Sequence, residues 1–226
     1  LASLLGGFVI PVMVVPVLTK PEILYRMLES VDYEVGVLVV VDNGACVSRH
    51  ELAGMNRTHI GRRHLWKMPS NLGVATSWNL GIKATPFAPW WLVVNFDVVW
   101  PSGSLERFVG DAGPDRLVLS GGAQPWCVFA IGEQVIDRVG LFDEGIHPAY
   151  WEDVDYTRRA VSRDTVIINS GAGPTHVNSS TLSSGYDSQN DRTFPENATR
   201  AQERASSGDM SNGEWSLRAR RALSWD

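Results

Sequence analysis

Short uncharged runs separated by polar loops organise the first half of the chain. VMVV at Val12–Val15 is a β-branched run bounded by Pro11 and Pro16, which suits a buried strand. A loop through Thr19 leads into a helix predicted from Pro21 to about Val31, with proline in the first turn, where its missing N–H does no harm. Val35–Val41 is a second wholly apolar run, ended by DNG. Runs of this kind are buried on both faces, as in parallel sheets. After an irregular basic stretch, SNLGVATSWNLGIKA predicts a helix capped by Ser70 or Asn71, with Val74, Trp78 and Ile82 on one face. TPFAP breaks it, and WWLVVNFDVVW follows as a third strand.

The second half is more mixed. LVLSG and WCVFAI read as strands, GEQVIDRVG as a short helix, and Tyr150–Val161 as a longer helix. On the latter, Tyr150, Val154, Thr157 and Val161 share a face, and Asp155 with Arg158 or Arg159 forms ordinary surface ion pairs. TVIIN is a further strand, leading into GAGPTH. Residues 179–212 are rich in Ser, Asn, Asp, Thr and Arg, which predicts a mobile loop or loosely packed arm, and SLRARRALSW predicts a closing basic amphipathic helix. Alternating β and α units predict a three-layer α/β domain with right-handed crossovers over residues 1–180. Residues 181–226 are then an arm and helix, not an independent domain.

Composition narrows the classes. With 226 residues, 44% of them hydrophobic, the chain supports one substantial core. A net charge of −5 gives no electrostatic case for wrapping nucleic acid. The local basic cluster of Arg57, His59, Arg62, Arg63, His64 and Lys67 reads either as a phosphate contact or as a solvated loop. Cys46 and Cys127 lack metal-ligand spacing, which points to a reducing, cytoplasmic compartment and no zinc. The opening LASLLGGFVIPVMVVPVL is uncharged, but Gly6, Gly7, Pro11 and Pro16 and the lack of a positive leader favour a buried strand over a membrane anchor.

Candidate chemistry lies where polar residues interrupt the apolar strands. Open α/β sheets gather ligands at the carboxyl ends of their parallel strands. Asp42 stands at such an end, either closing an Asx turn with Asn43 and Gly44 or accepting hydrogen bonds from a nucleobase or ribose. Asn95 and Asp97 are two apart, so an extended strand projects both from one side. Burying such groups unpaired costs about 2–7 kcal/mol. Mg²⁺ or Mn²⁺, which take oxygen ligands and share them with substrate phosphates, would meet them; so would the N–H groups of a following turn. In HPAYWEDVDYTRRA, Glu152 and Asp153 begin a helix beside bulky aromatics. They serve either as ordinary first-turn acids or as a general base at the mouth of an aromatic pocket.

Six stretches in order, VMVVPVLTKPEILYRMLESV, VLVVVDNGA, NLGVATSWNLGIKA, VVNFDV, VGLFDEGIHPAYWEDVDYTRR and PTHVNSS, resemble the GT-A glycosyltransferases of the family 2 type, including the rhamnosyltransferase-like bacterial and phage enzymes. The resemblance covers most of residues 12–180. It implies a Rossmann-like, mostly parallel sheet flanked by helices, with a smaller acceptor-side β element. It also implies inverting transfer from a nucleotide-diphosphate sugar to a glycan, lipid-linked or protein hydroxyl. Asp42 then contacts the nucleobase, with Pro16 to Thr19 flanking it and Asn71 nearby. NFD takes the place of the Asp-x-Asp motif, so Asp97 holds the metal, with Asn95 where many members carry a first acid. His176 reaches the metal or diphosphate. Trp78 stands where relatives often carry Arg, a phosphate contact that Arg62, Arg63 or Lys83 would have to replace. WEDVD matches the Glu-Asp motif, making Asp153 the base and Glu152 its neighbour, each raising the other's pKa. Trp126, Tyr150 and Trp151 are the acceptor-wall candidates, and the loop of Asp143 and Glu144 is structural or approaches the acceptor. Two other readings stand beside it: a sugar-1-phosphate nucleotidyltransferase, whose Gly-rich basic loop PVLTKP lacks, and a non-catalytic sugar- or nucleotide-binding module.

Overall fold

The computed structural model describes residues 9–176, 185–210 and 216–222, without the side chains of 218, 219 and 222. The apolar opening 1–8, the stretch after His176 in PTHVNSS and the end of the closing helix lie outside the described residues. The elements run β1 (Ile10–Val17), α1 (Pro21–Glu29), β2 (Val35–Asp42), α2 (Arg49–Gly54), β3 (Ile60–Lys67), α3 (Val74–Ala84), β4 (Trp90–Val94), β5 (Val98–Val99) and α4 (Ser104–Gly110). They continue with β6 (Arg116–Leu119), β7 (Val128–Gly132), α5 (Glu133–Val139), α6 (Glu152–Ser162), β8 (Val166–Asn169), β9 (Thr175–His176), α7 (Asp187–Ser207) and α8 (Leu217–Ala222).

A seven-stranded sheet has the order β3-β2-β1-β4-β7-β6-β8. Its pairings are parallel except where β7 runs against β4 and β6. The β-branched runs form these strands because both of their faces are covered. Met13, Val15 and Val17 pack with α1 and α4, while Val12 and Val14 pack with α3, α5 and α6. This is the three-layer α/β arrangement expected from the apolar runs.

The basic stretch that reads as irregular contains the edge strand β3, whose burial is patchy because one of its edges lacks a partner strand among the described residues. Its Arg63 donates to the carbonyls of Met55, Asn56 and Gly61, so this cation fastens its own loop. The predicted third strand is also two pieces. It stops at Val94, Phe96 and Asp97 form a turn after Asn95, and β5 then pairs with β9 in a separate two-stranded sheet. Asn95 and Asp97 therefore do not share a strand face.

Two further expectations are corrected. Residues 187–207 form a helix, not a loop, although Pro195 lies inside it at a cost of about 3 kcal/mol to a helix interior. On α6 the inferred apolar face points outward, with Val154 and Val161 exposed, and the buried side carries Glu152, Asp155, Tyr156 and Arg159. The ion pairs of α6 are accordingly interior ones. Asp155 accepts from Arg159 at 2.8 Å, from Arg158 at 3.0 Å and from Arg204 of α7 at 3.3 Å.

A buried carboxylate shared by three guanidinium groups makes a sharp stability test. Asp155→Ala leaves charge unpaired in the interior and is expected to cost about 3–5 kcal/mol in urea unfolding. The apolar pair Asp155→Leu with Arg159→Met is expected to cost less, because it removes both sides of the tightest contact.

Candidate active site

The parallel strands β1, β2 and β4 end on one side of the sheet, at Val17, Asp42 and Val94, and the polar interruptions collect there. A cavity of about 380 Å³ opens at this end. From the strand ends it is lined by Pro16, Asn43, Asn95 and Asp97, and from the α3 entrance by Asn71. Trp126, Tyr150, Glu152 and Asp153 line it from the second half of the chain, as does His176.

The β5–β9 pairing decides where His176 goes. Val98 lies opposite His176 in the register, so the imidazole falls beside the preceding Asp97. His176 Nε2 meets Asp97 Oδ1 at 3.0 Å, and its Nδ1 contacts the Gln124 side-chain oxygen. Asp97 is buried. An anionic oxygen and an imidazole nitrogen thus stand together at the cavity edge. Gln124, which carried no signal in the sequence, orients the ring from behind.

The loop before α6 is held from two sides. Val74 N donates to Pro148 O at 2.7 Å, so an outside carbonyl caps α3 where Ser70 or Asn71 was expected. Asn71 Oδ1 instead accepts from Gly73 N at 2.9 Å. Gly73 has φ 80°, and a Cβ there would stand 2.8 Å from the Pro148 oxygen, so this contact requires glycine. From the other side, the buried Asn197 of α7 accepts from His147 N at 3.1 Å and donates to Ala149 O at 2.9 Å. Tyr150 and Trp151 follow, both left-handed, at φ 70° and 79°. Such a conformation costs roughly 1–2 kcal/mol per non-glycine residue, which the clamps on either side offset.

That loop delivers Glu152 and Asp153 to the cavity. Glu152 is buried and its Oε2 has no partner among the described residues. Burial, with the neighbouring Asp153 charge second, raises its pKa to about 8. Asp153 is raised as well, chiefly by burial, while the Val154 N–H at 2.8 Å opposes the shift. Desolvation therefore dominates at this pair. Glu152 holds its proton near neutrality, and Asp153 is the less enclosed of the two.

Three expected site residues are not brought to the cavity. Asp42 is wholly buried, and its oxygens accept from Cys46 N at 3.0 Å and Val47 N at 2.9 Å, so it closes its own turn. Its neighbour Asn43 faces the cavity and ties β2 to the α3 entrance through Ser77 Oγ and Leu72 N. Trp151 packs against Phe194 of α7, and Thr19 lies outside the lining. The suggested replacement cations are also elsewhere, Lys83 pairing with Glu144 at 2.7 Å. Asp143, before the loop, accepts from Arg200 of α7, which makes the Asp143–Glu144 turn structural. Tyr186, Gln189 and Asn190 of the α7 segment line the cavity without having been anticipated.

No family model and no curated protein matches the sequence. Solved structures do match by fold. S. aureus TarS 1-349 is 16% identical with a TM-score of 0.55, over 72% of this chain and 58% of that one. GalNAc-T7 with UDP, GalNAc and Mn²⁺ is 11% identical with a TM-score of 0.60, over 76% and 44%. TarS 1-349 in complex with UDP is 15% identical with a TM-score of 0.53, over 72% and 58%. The chain spans about half the length of these structures. It has the GT-A glycosyltransferase fold. No helix among the described residues is long and apolar enough to cross a membrane.

The buried Glu152 gives a signed pH dependence. Its folded-state pKa of about 8 lies above the ordinary 4.5, so the folded chain keeps a proton that the unfolded chain releases. The resulting stability is fully present below the ordinary value and is lost as pH rises through about 8. One proton limits the slope to about 1.4 kcal/mol per pH unit. Glu152→Gln is expected to flatten the fall of the melting temperature between pH 5 and 8, leaving the smaller same-sign contribution of Asp153.

Proposed function

We propose that the chain is an inverting glycosyltransferase that moves a sugar from a nucleoside-diphosphate sugar to an acceptor hydroxyl. The observation that carries this reading is the meeting of Asp97 and Asp153, from separate elements, on one cavity at the carboxyl ends of the sheet strands. The GT-A fold, shared with GalNAc-T7 with UDP, GalNAc and Mn²⁺ and with TarS 1-349 in complex with UDP, supports a nucleotide-sugar donor.

In this mechanism Asp153 accepts the acceptor proton as the hydroxyl oxygen bonds to the anomeric carbon. The carbon–oxygen bond to the diphosphate breaks in the same step, and its electron pair leaves with the diphosphate. One displacement inverts the anomeric centre, without a covalent sugar–enzyme intermediate. A raised pKa makes Asp153 a stronger base than an exposed aspartate, and protonated Glu152 does not compete with it for the proton. Trp126 and Tyr150 offer apolar ring surface to sugar C–H groups. Asn95 and Asn71 present neutral amides on the same walls.

The residues fit a divalent cation shared with substrate. Asp97 and His176 supply one hard oxygen and one nitrogen side by side, and no group of three acidic, His or Cys ligands occurs among the described residues. Diphosphate oxygens would complete the shell, as is usual for Mg²⁺ and acceptable for Mn²⁺. Bound there, the cation would neutralise charge on the departing diphosphate.

The test is release of nucleoside diphosphate from UDP-, GDP- and dTDP-sugars with Mn²⁺ across an acceptor panel. Asp153→Asn is expected to lower kcat by about 10²–10⁴-fold while the donor still raises the melting temperature. Asp97→Asn is expected to weaken the metal-dependent part of that melting shift. Full turnover in Asp153→Asn would remove the base assignment, retention at the anomeric carbon would remove the single displacement, and donor binding without turnover would leave a binding module.

A further inference from the structure

Helix α7 presents a polar inward stripe. Tyr186, at its start, and Gln189 and Asn190, on its first turn, line the cavity; on the following turns Thr193 and Asn197 are buried. These positions recur three and four apart, so a single helix face runs from the cavity into the protein interior. The far end of that face is tied down by Arg200 on Asp143 and Arg204 on Asp155. Gln189 and Asn190 are therefore half-buried carboxamides on an anchored wall.

The charge around them is one-sided. The cavity contains Asp97, Glu152 and Asp153, and no Lys or Arg occurs among its described lining residues. Residues 177–184, which follow His176 in the chain, contain neither Lys nor Arg. A phosphorylated or sulfated acceptor would meet the Asp153 carboxylate with no Lys or Arg among the described lining residues to offset it, because the cation that Asp97 and His176 would hold is shared with the donor diphosphate. A polyol would not, because a carboxamide both donates and accepts, matching neighbouring hydroxyls, and Trp126 and Tyr150 supply apolar ring surface.

We propose that α7 is the acceptor-binding wall and that the acceptor is an uncharged saccharide, its hydroxyls held by Gln189 and Asn190. The proposal rests on the transfer reading above and adds the acceptor class to it.

The test uses the labelled full chain with Mn²⁺ and UDP on an array of neutral, phosphorylated and sulfated oligosaccharides. Neutral saccharides are expected to bind, and Gln189→Ala and Asn190→Ala are each expected to weaken binding roughly three- to tenfold, as for one lost hydrogen bond. Alanine is the best helix former, so these half-exposed positions should tolerate it, and unchanged melting temperatures confirm folding. Gln189→Lys is a second, charge-changing probe, expected to move preference toward the phosphorylated members. Preference of the unaltered protein for anionic members, binding to no member, or unchanged binding by all three variants each overturns the proposal. Melting shifts of the unaltered protein with UDP, GDP and dTDP report the donor half separately. If none of them shifts it, the transfer reading fails, and the array still decides whether α7 binds a neutral saccharide.

Discussion

The site depends on how the loop His147–Trp151 is held. Two consecutive aromatic residues at positive φ do not persist by local preference, and the carboxylates that follow them are desolvated, so neighbours must fix the loop on both sides. The α3 entrance does so through Val74 N on Pro148 O, and α7 through the two-ended Asn197 amide. With both clamps closed, α6 begins at the cavity edge and its first-turn acids face inward.

The same geometry sets the electrostatics. Glu152 and Asp155 are drawn inside by one helix, yet they meet opposite conditions. Asp155 finds three guanidinium groups, whereas Glu152 is buried beside another acid with no cation to pair it among the described residues, so it keeps its proton into the neutral range. The difference comes from height along one helix face: Asp155, about one turn beyond Glu152, lies beside Arg204 of α7. A protonated acid and a structural ion pair thus sit within one turn of each other.

Much of the fold was legible in the sequence because its signals are local. Runs such as VMVV and VGVLVVV became buried parallel strands, and the helices after Pro21 and around Trp78 formed close to their expected limits. The pieces that escaped had no apolar pattern to read. Edge strand β3 is half exposed and basic. The inward stripe of α7 is Thr193, Asn197 and Ala201, with Pro195 between, so composition pointed to a loop. On α6 the periodicity of Val154 and Val161 was genuine but marked the solvent side, because polar and charged residues carry the buried face.

For the site, the sequence by itself determined the inventory: Asp97 after an apolar strand, Glu152 and Asp153 at a helix start, and aromatics beside them. Tertiary structure decided which of these meet. Strand register placed His176 against Asp97, backbone N–H groups claimed Asp42 for its own turn, and α7 drew Trp151 away while bringing Gln189 and Asn190 in. The reason is physical: periodicity along a chain reports which side of an element is buried, whereas the partner of a buried polar group is chosen by residues tens of positions distant. Only packing can bring those together.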